Sequence, residues 1–336
     1  MKSVGGLFAD LTNRAWFEAA VDDAVRGRRR RPQVARFLLT REACVRALLT
    51  RLRAGRWRPG PFRALCIRDP KPRVIAYSPL EDRLVLHALA RLLERVFLPS
   101  ASPASFACRP GGGTHRARLA LLRHLRRRHW FVHLDLRSYF PSIDLELLRE
   151  LLARRIRDRP FLSVIEHVLD AGAGFYDRSD LRRFARMDRA WPPAGRGLPI
   201  GAATSQVLAA HVVLGEFDHW LQREVRVGGY VRYVDDLFLF GDDRRRLEAI
   251  REDSSDWLER ERHLRLKVPH ARVRSCAGAL HGLGARITHG GIAPSAEALR
   301  RLSAAAAREA WGPVHGETTV AWEDSLASRL GDQMGW

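Results

Sequence analysis

Tyr233-Val234-Asp235-Asp236 sets two carboxylates side by side between the apolar runs Tyr230-Val231 and Leu237-Phe238-Leu239-Phe240. The pattern reads as strand, tight turn, strand, with the acids at the turn. Adjacent like charges repel, so the pair does not serve stability; a divalent cation removes the repulsion and gives the pair a use. A third acid, Asp135, sits at the end of the apolar stretch Trp130-Phe131-Val132-His133-Leu134-Asp135-Leu136. Acids at strand ends usually cap the next helix, but Asp144, directly before Leu145, is better placed for that. Asp135 is thereby left without a structural task. Carboxylates from two adjacent strands can hold two Mg2+ ions about 4 Å apart, which clamp the attacking and leaving oxygens of an in-line phosphoryl transfer. Carboxylate and phosphate oxygens are the ligands that such hard cations select.

The elements that must position these acids can be traced along the chain. Residues 1–59 read as helical, broken by the loop Arg26-Gly27-Arg28-Arg29-Arg30-Arg31-Pro32, which is either a phosphate contact or a solvated basic loop. Two short strands between Ala64 and Tyr77 meet at Asp69-Pro70-Lys71-Pro72. A helix follows, with Leu84, Val85, Ala88, Leu92 and Val96 on one face. A further helix spans about 116–128, and 130–136 is a strand. Residues 171–197 are rich in Gly, Pro and Arg and read as an inserted loop, 204–222 as a long helix, and 264–274 and 279–288 as strand-like.

Composition narrows the partners. The 336 residues carry 58 Lys plus Arg against 38 Asp plus Glu, a net charge of +20. Such an excess favours a polyanion, most simply nucleic acid. A codon bias toward Arg accounts for part of it, since only Lys2, Lys71 and Lys267 are lysines. From Gly290 onward the balance reverses to four basic and six acidic residues. The four cysteines form no CxxC pair, as expected of a reducing compartment. No apolar stretch approaches the length of a membrane span. These features lead to the expectation of a soluble, cytoplasmic protein with no membrane partner.

Three motifs in order carry a resemblance. Tyr233-Val-Asp-Asp, Asp135-Leu-Arg-Ser-Tyr-Phe-Pro-Ser-Ile143 and Gly197-Leu-Pro-Ile-Gly-Ala-Ala-Thr-Ser-Gln206 resemble the YxDD turn, first palm motif and template-primer motif of reverse transcriptases, over roughly residues 55–288. Group II intron and other bacterial members usually have Gln-Gly and Ser-Pro in the third motif. Ile200-Gly201 and Ser205-Gln206 are instead similar to the enzymes of diversity-generating retroelements. So are Asp69-Pro-Lys-Pro-Arg-Val-Ile75, Asp82-Arg83, Cys108-Arg-Pro110 and Gly113-Thr-His115.

The resemblance implies an α+β right-hand polymerase: an N-terminal helical extension over 1–59, fingers over 60–129, and a palm with an antiparallel sheet over 130–275, its inserted loop at about 171–196. A primer-grip and short, atypical thumb would occupy 276–336. It implies RNA-directed DNA polymerisation, error-prone at template adenines, with template RNA, primer or cDNA and dNTPs as partners and a small basic accessory protein beside it. Asp135, Asp235 and Asp236, with Leu136, would bind two Mg2+ ions, Mn2+ being a possible substitute. Lys71 and Arg73 would grip the incoming triphosphate, and Tyr233 and Leu136 would line the nucleotide site. Phe140 would either exclude a 2′-hydroxyl or pack in the core; it and Tyr139 cannot share one face of a strand.

Gly201 would let template or primer approach closely, with Ser205 and Gln206 touching nucleic acid from the start of a helix and Gln206 bearing on fidelity. Arg83 and Arg109 would contact template or form surface ion pairs. Lys267 would either protonate pyrophosphate or screen its charge. The chain departs from the family at Gly282-Leu283-Gly284-Ala285, where relatives carry Phe-Leu-Gly-Tyr, and at Ala202, usually Asn; Trp311, Trp322 and Trp336 are candidates for packing on a partner. No second acidic cluster of the ribonuclease H kind is visible. Two other readings share these residues: a related bacterial reverse transcriptase of phage defence, and a weakly catalytic, maturase-like RNA-binding protein.

Overall fold

The computed structural model describes residues 3–68, 71–188 and 190–311. The chain forms two compact units, each assembled from three separate stretches. The first comprises residues 1–101, 137–217 and 257–265. Helices Leu7–Leu11, Arg14–Val25, Pro32–Leu39 and Arg41–Arg53 open it. Asn13 starts the second by accepting a hydrogen bond from the Trp16 amide at 3.1 Å. The basic run 26–31 connects the second and third, and Pro32, with no amide hydrogen to lose, stands in the first turn of the third.

Strands β1 (Arg63–Ile67) and β2 (Arg73–Tyr77) form an antiparallel pair in register Ile67 to Arg73. Helix Leu80–Phe97 supplies the unit's main apolar surface; Leu84, Val85, Ala88, Leu92 and Val96 are all buried, as their helical spacing predicts. Asp144 caps helix Leu145–Arg155, its Oδ1 accepting from the amides of Glu146 at 3.0 Å and Leu147 at 3.2 Å.

The second unit comprises residues 102–136, 218–256 and 266–336. Its main sheet is antiparallel, in the order β4 (Gly229–Tyr233), β5 (Asp236–Gly241), β3 (Trp130–Asp135), β6 (Arg274–Ser275). Leu237 to Phe240 form an unbroken buried run, as in a strand covered on both faces. Helix Thr114–Arg127 contributes Ala117, Ala120, Leu121 and Leu125 to one core with Phe131, Val231, Phe238 and Phe240. A second sheet runs β7 (Leu280–Gly282), β8 (Ala285–Thr288), β9 (Gly291–Pro294).

Local structure departs from the sequence reading in four places. Tyr139 and Phe140 lie in a helical turn, Tyr139–Ser142, entered through a left-handed Ser138 (φ 48°), rather than in a strand. The stretch 171–196 holds a short helix, Ser179–Phe184. Between 264 and 274 the strand character shrinks to one bridge, Leu136 to Leu266, and the start of β6. After Gly290 the chain adds β9 and helix Ala296–Trp311; Trp322 and Trp336 lie outside the described residues, as does the Trp311 side chain.

Among the described residues of this unit, one ion pair is wholly buried. Arg232 on β4 faces Asp218 through two parallel hydrogen bonds, Nε to Oδ1 at 2.7 Å and Nη2 to Oδ2 at 2.6 Å. The Tyr230 hydroxyl donates to the same Oδ1 at 2.8 Å. Removing one partner from such a pair strands the other charge at a cost of about 3–5 kcal/mol, more than the ~1.5–3 kcal/mol that one buried Phe contributes. Asp218→Ala is therefore expected to lose about 3–5 kcal/mol in urea unfolding, and Asp218→Leu/Arg232→Met to recover much of that loss.

His124 stacks on Phe240 with ring centroids 5.1 Å apart, and burial, then the charges of Arg128, Arg123 and Arg127, push it down to about 4. It stays neutral in the fold but takes a proton in the unfolded chain below about pH 6.5. Its contribution is thus intact above that pH and is lost as pH falls toward 4. In thermal melts across that window, His124→Phe is expected to give a flatter pH dependence than the wild type.

Candidate active site

The acidic turn is built by the β4–β5 hairpin. Tyr233 pairs with Asp236, so Val234 and Asp235 form a two-residue loop and Asp236 opens β5. Val234 takes φ 56°, a conformation that β-branched residues resist at a cost of about 1–3 kcal/mol. The buried Arg232 answers that strain: its Nη1 donates to the Val234 carbonyl at 3.3 Å. The backbone of Arg232 is held as well, its amide donating to Ala104 O at 2.8 Å and its carbonyl accepting from the Phe106 amide at 2.9 Å. Thr114 Oγ1 donates to the Tyr233 hydroxyl at 3.0 Å, so the Gly113-Thr-His115 segment braces the turn from helix Thr114–Arg127.

Antiparallel pairing of β3 with β5 sets Asp135 directly opposite Asp236, and the Leu136 amide reaches the Asp235 carbonyl at 3.4 Å. All three acids are half-buried. Lys267 enters beside them: its amide donates to the Asp135 carbonyl at 2.8 Å and its Nζ to Asp135 Oδ2 at 2.9 Å. The Asp135 hydrogen bond, then its charge and those of Asp235 and Asp236, raise the Lys267 ammonium above its usual range, so it is a fixed cation at neutral pH. His133 Nε2 meets Asp236 Oδ1 at 2.6 Å while its ring stacks on Phe238 at 4.2 Å. Sequence reasoning singles out neither His133 nor Arg232. The signal for His133 is its place two residues before Asp135, on the same face of the strand.

Asp135, Leu136, Tyr233, Asp235, Asp236 and Lys267 thus gather in the second unit. Leu136 is buried and adjoins the acids through its backbone. Arg109, in the same unit, donates to the carbonyls of Ser102 at 2.8 Å and Ser105 at 3.2 Å, so its guanidinium organises the loop that holds Arg232. That local use is neither a template contact nor a surface ion pair.

The other candidates lie in the first unit. Lys71 and Arg73 are exposed beside and on β2, and Phe140 is half-exposed while its neighbour Tyr139 is buried and donates to the Ala209 carbonyl at 2.6 Å. Gly201 (φ 112°) has a different neighbour from the one expected. A Cβ there would meet the Ala76 carbonyl at 2.4 Å, so the glycine is demanded by the chain's own β2. Ser205 is buried, leaving Gln206, half-exposed, as the residue of that pair open to a ligand. Arg83 is half-buried beside Arg28 and Arg31.

The turn Gly282-Leu283-Gly284-Ala285 has a packing reason. A Cβ at Gly282 would meet the Phe238 ring at 2.6 Å, and Leu283 (φ 51°) and Gly284 (φ 69°) both take the left-handed conformation of a tight β7–β8 hairpin. Leu283 packs with Tyr233 on the core behind the acidic turn.

Among the described residues, no three of His, Cys, Asp and Glu converge as a ready-made metal cage. The donors are nevertheless of the right kind for a hard divalent ion. Asp135, Asp235 and Asp236 bring three half-buried carboxylates against one lysine, and Lys267 occupies an oxygen of Asp135 that a metal would use.

Comparison with known proteins places this geometry. The profile of the family described as reverse transcriptase (RNA-dependent DNA polymerase) matches residues 68–287, so the chain belongs to that family. Its α+β organisation, with the acids on an antiparallel sheet, is the family's right-hand polymerase fold. Protein YkfC of Escherichia coli is 27% identical over 65% of this chain and 66% of its own length. The group II intron-encoded protein LtrA of Lactococcus lactis is 27% identical over 39% of this chain, which spans only 22% of LtrA. The structure of telomerase from Candida albicans aligns with 73% of this chain and 48% of its own, at 10% identity and a TM-score of 0.49. No described helix is long and apolar enough to cross a membrane.

A cation using Asp135 Oδ2 would compete with Lys267 for it, so Lys267→Leu is expected to bind Mn2+ more tightly without substrate. The gain should be up to about fivefold, the equivalent of ~1 kcal/mol for a part-exposed pair. Electron paramagnetic resonance titration of free Mn2+ measures it.

Proposed function

We propose that the protein is an RNA-directed DNA polymerase that extends a primer along a template RNA by nucleotidyl transfer from dNTPs. The register that sets Asp135 opposite Asp236, with Asp235 in the adjoining loop, carries this reading. Asp135, Asp235 and Asp236, with the Leu136 backbone beside them, would hold Mg2+, which supplies charge stabilisation at the reacting phosphate. Lys267 keeps its proton at neutral pH and offers the leaving pyrophosphate a cation, and His133 orients the Asp236 carboxylate. Lys71 and Arg73 are the exposed cations assigned to the triphosphate, and Phe140 the ring assigned to the sugar.

Within the family we assign the chain to the error-prone, diversity-generating type, with a small basic accessory protein as a partner. Ile200-Gly201 and Ser205-Gln206 in place of Gln-Gly and Ser-Pro support this, and of Ser205 and Gln206 it is Gln206 that is half-exposed. The relatives include a protein named as a nuclear intron maturase, 24% identical over 48% of this chain, which keeps a maturase-like RNA-binding role as the second reading. Primer extension on an RNA template with Mg2+, followed by sequencing of the cDNA, separates them. The expected outcome is extension lost in Asp235→Ala, with substitutions concentrated at template adenines. An even error spectrum would remove the diversity-generating assignment, and an inactive wild type, alone and with accessory proteins, would favour the maturase-like role.

A further inference from the structure

The acidic turn occupies one end of the four-stranded sheet of the second unit, and the other end of that sheet carries the opposite charge. β3 ends at Asp135 and β5 begins at Asp236, whereas Trp130 pairs with Gly241 at the far end. Five residue steps of about 3.3 Å put the two ends ~17 Å apart. Around the far end run Arg127 and Arg128 from the end of helix Thr114–Arg127 and Arg226 from the approach to β4. Arg244, Arg245 and Arg246 join them from the first turn of helix Arg244–Arg262. Short contacts link these three segments into one surface. Arg128 pairs with Asp242, just after β5, and its guanidinium carbon lies 3.4 Å from where a Cβ on Gly228 would stand. Arg246 Nη2 donates to the Val225 carbonyl at 3.4 Å. The Arg244 guanidinium lies over the half-exposed ring of Trp130, 5.6 Å from its centroid.

The acids of the loop after β5 are already engaged, Asp242 by Arg128 and Asp243 by the Arg246 amide at 3.1 Å. Glu248, one turn further on, accepts from Arg244 Nε at 3.0 Å. Arg127, Arg226 and Arg245 are exposed, and none of them is in an ion pair among the described residues. Guanidinium groups crowded in this way repel one another, and a polyanion replaces the repulsion with charge-assisted hydrogen bonds. The planar fork of each matches phosphate oxygens. An aromatic ring set among such charges adds a platform for an unpaired base. We propose that this end of the sheet is a second RNA-binding surface, which holds the sugar-phosphate backbone of the template outside the stretch being copied. Naming the RNA as template rests on the polymerase reading; the surface itself rests on the charges of the second unit.

The test uses the full chain, the double variant Arg127→Gln/Arg245→Gln and the charge reversal Arg127→Glu/Arg245→Glu. Both side chains are exposed and outside any ion pair, so thermal melts of the Gln variant should match the wild type. Fluorescence anisotropy across a salt series, without dNTPs, follows binding of a long single-stranded template RNA and of a primer-template trimmed to the copied stretch. On the long RNA, the Gln variant's slope of log affinity against log salt should be shallower by about 0.7 for each phosphate that it no longer neutralises. The Glu variant should bind that RNA more weakly still. On the trimmed substrate, affinity, salt slope and the rate of primer extension should match the wild type. Unchanged affinity and slope on the long RNA would overturn the proposal, and so would an equal loss on both substrates. Binding is read without turnover, so a wild type that extends no primer yet shows the expected differences would remove the polymerase reading and leave this surface standing.

Discussion

The buried pair of Arg232 and Asp218 is the constraint on which the acidic turn depends. Three demands meet at one guanidinium. It neutralises Asp218 bidentately, it braces the carbonyl of a left-handed Val234, and its backbone ties β4 to the loop at Ala104–Phe106. That brace offsets strain at Val234 and steadies the turn that carries Asp235 and Asp236. A buried ion pair seldom adds net stability over an apolar substitute. Its value here is geometric: the fork of Arg232 admits one orientation, and the turn inherits it.

Asp135 and Asp236 are each held by a neighbouring side chain. Lys267 answers Asp135 with a charge and a hydrogen bond, and His133 Nε2 lies 2.6 Å from Asp236 Oδ1, which sets that carboxylate's direction. An ion that used Asp135 Oδ2 would have to displace the Lys267 ammonium from it, which would link metal affinity to the position of Lys267.

Much of this is legible in the residues. Asp135, Asp235 and Asp236 stand out because their charges lack a structural excuse, and Asp144 is recognisable as the cap that frees Asp135 from that duty. The buried face of helix Leu80–Phe97 follows from helical spacing alone. Local reasoning goes astray where a residue's neighbour is distant in sequence. Gly201 answers to the Ala76 carbonyl, Gly282 to the Phe238 ring, and Arg109 to the carbonyls of its own loop. Residue order alone makes each look like a ligand contact or a missing one, because it does not show which surface is already taken. Tyr139 and Phe140 read as strand for a related reason: the left-handed Ser138 that turns the chain into a helix has no Gly or Asn to announce it.

By itself the sequence determined the kinds of chemistry available, because charge, hardness of ligand and apolar periodicity are properties of residue types and their spacing. It placed three carboxylates at strand ends within a strongly basic chain. The tertiary structure alone decided which groups meet. Antiparallel register, not proximity in the chain, sets Asp135 opposite Asp236 and brings Lys267 to both. Burial, which no local pattern reports for an arginine, turned Arg232 from one of 55 similar residues into the brace of the turn. The physical reason is common to both: pairing and desolvation depend on neighbours that lie far apart in the chain, and only the folded molecule brings them together.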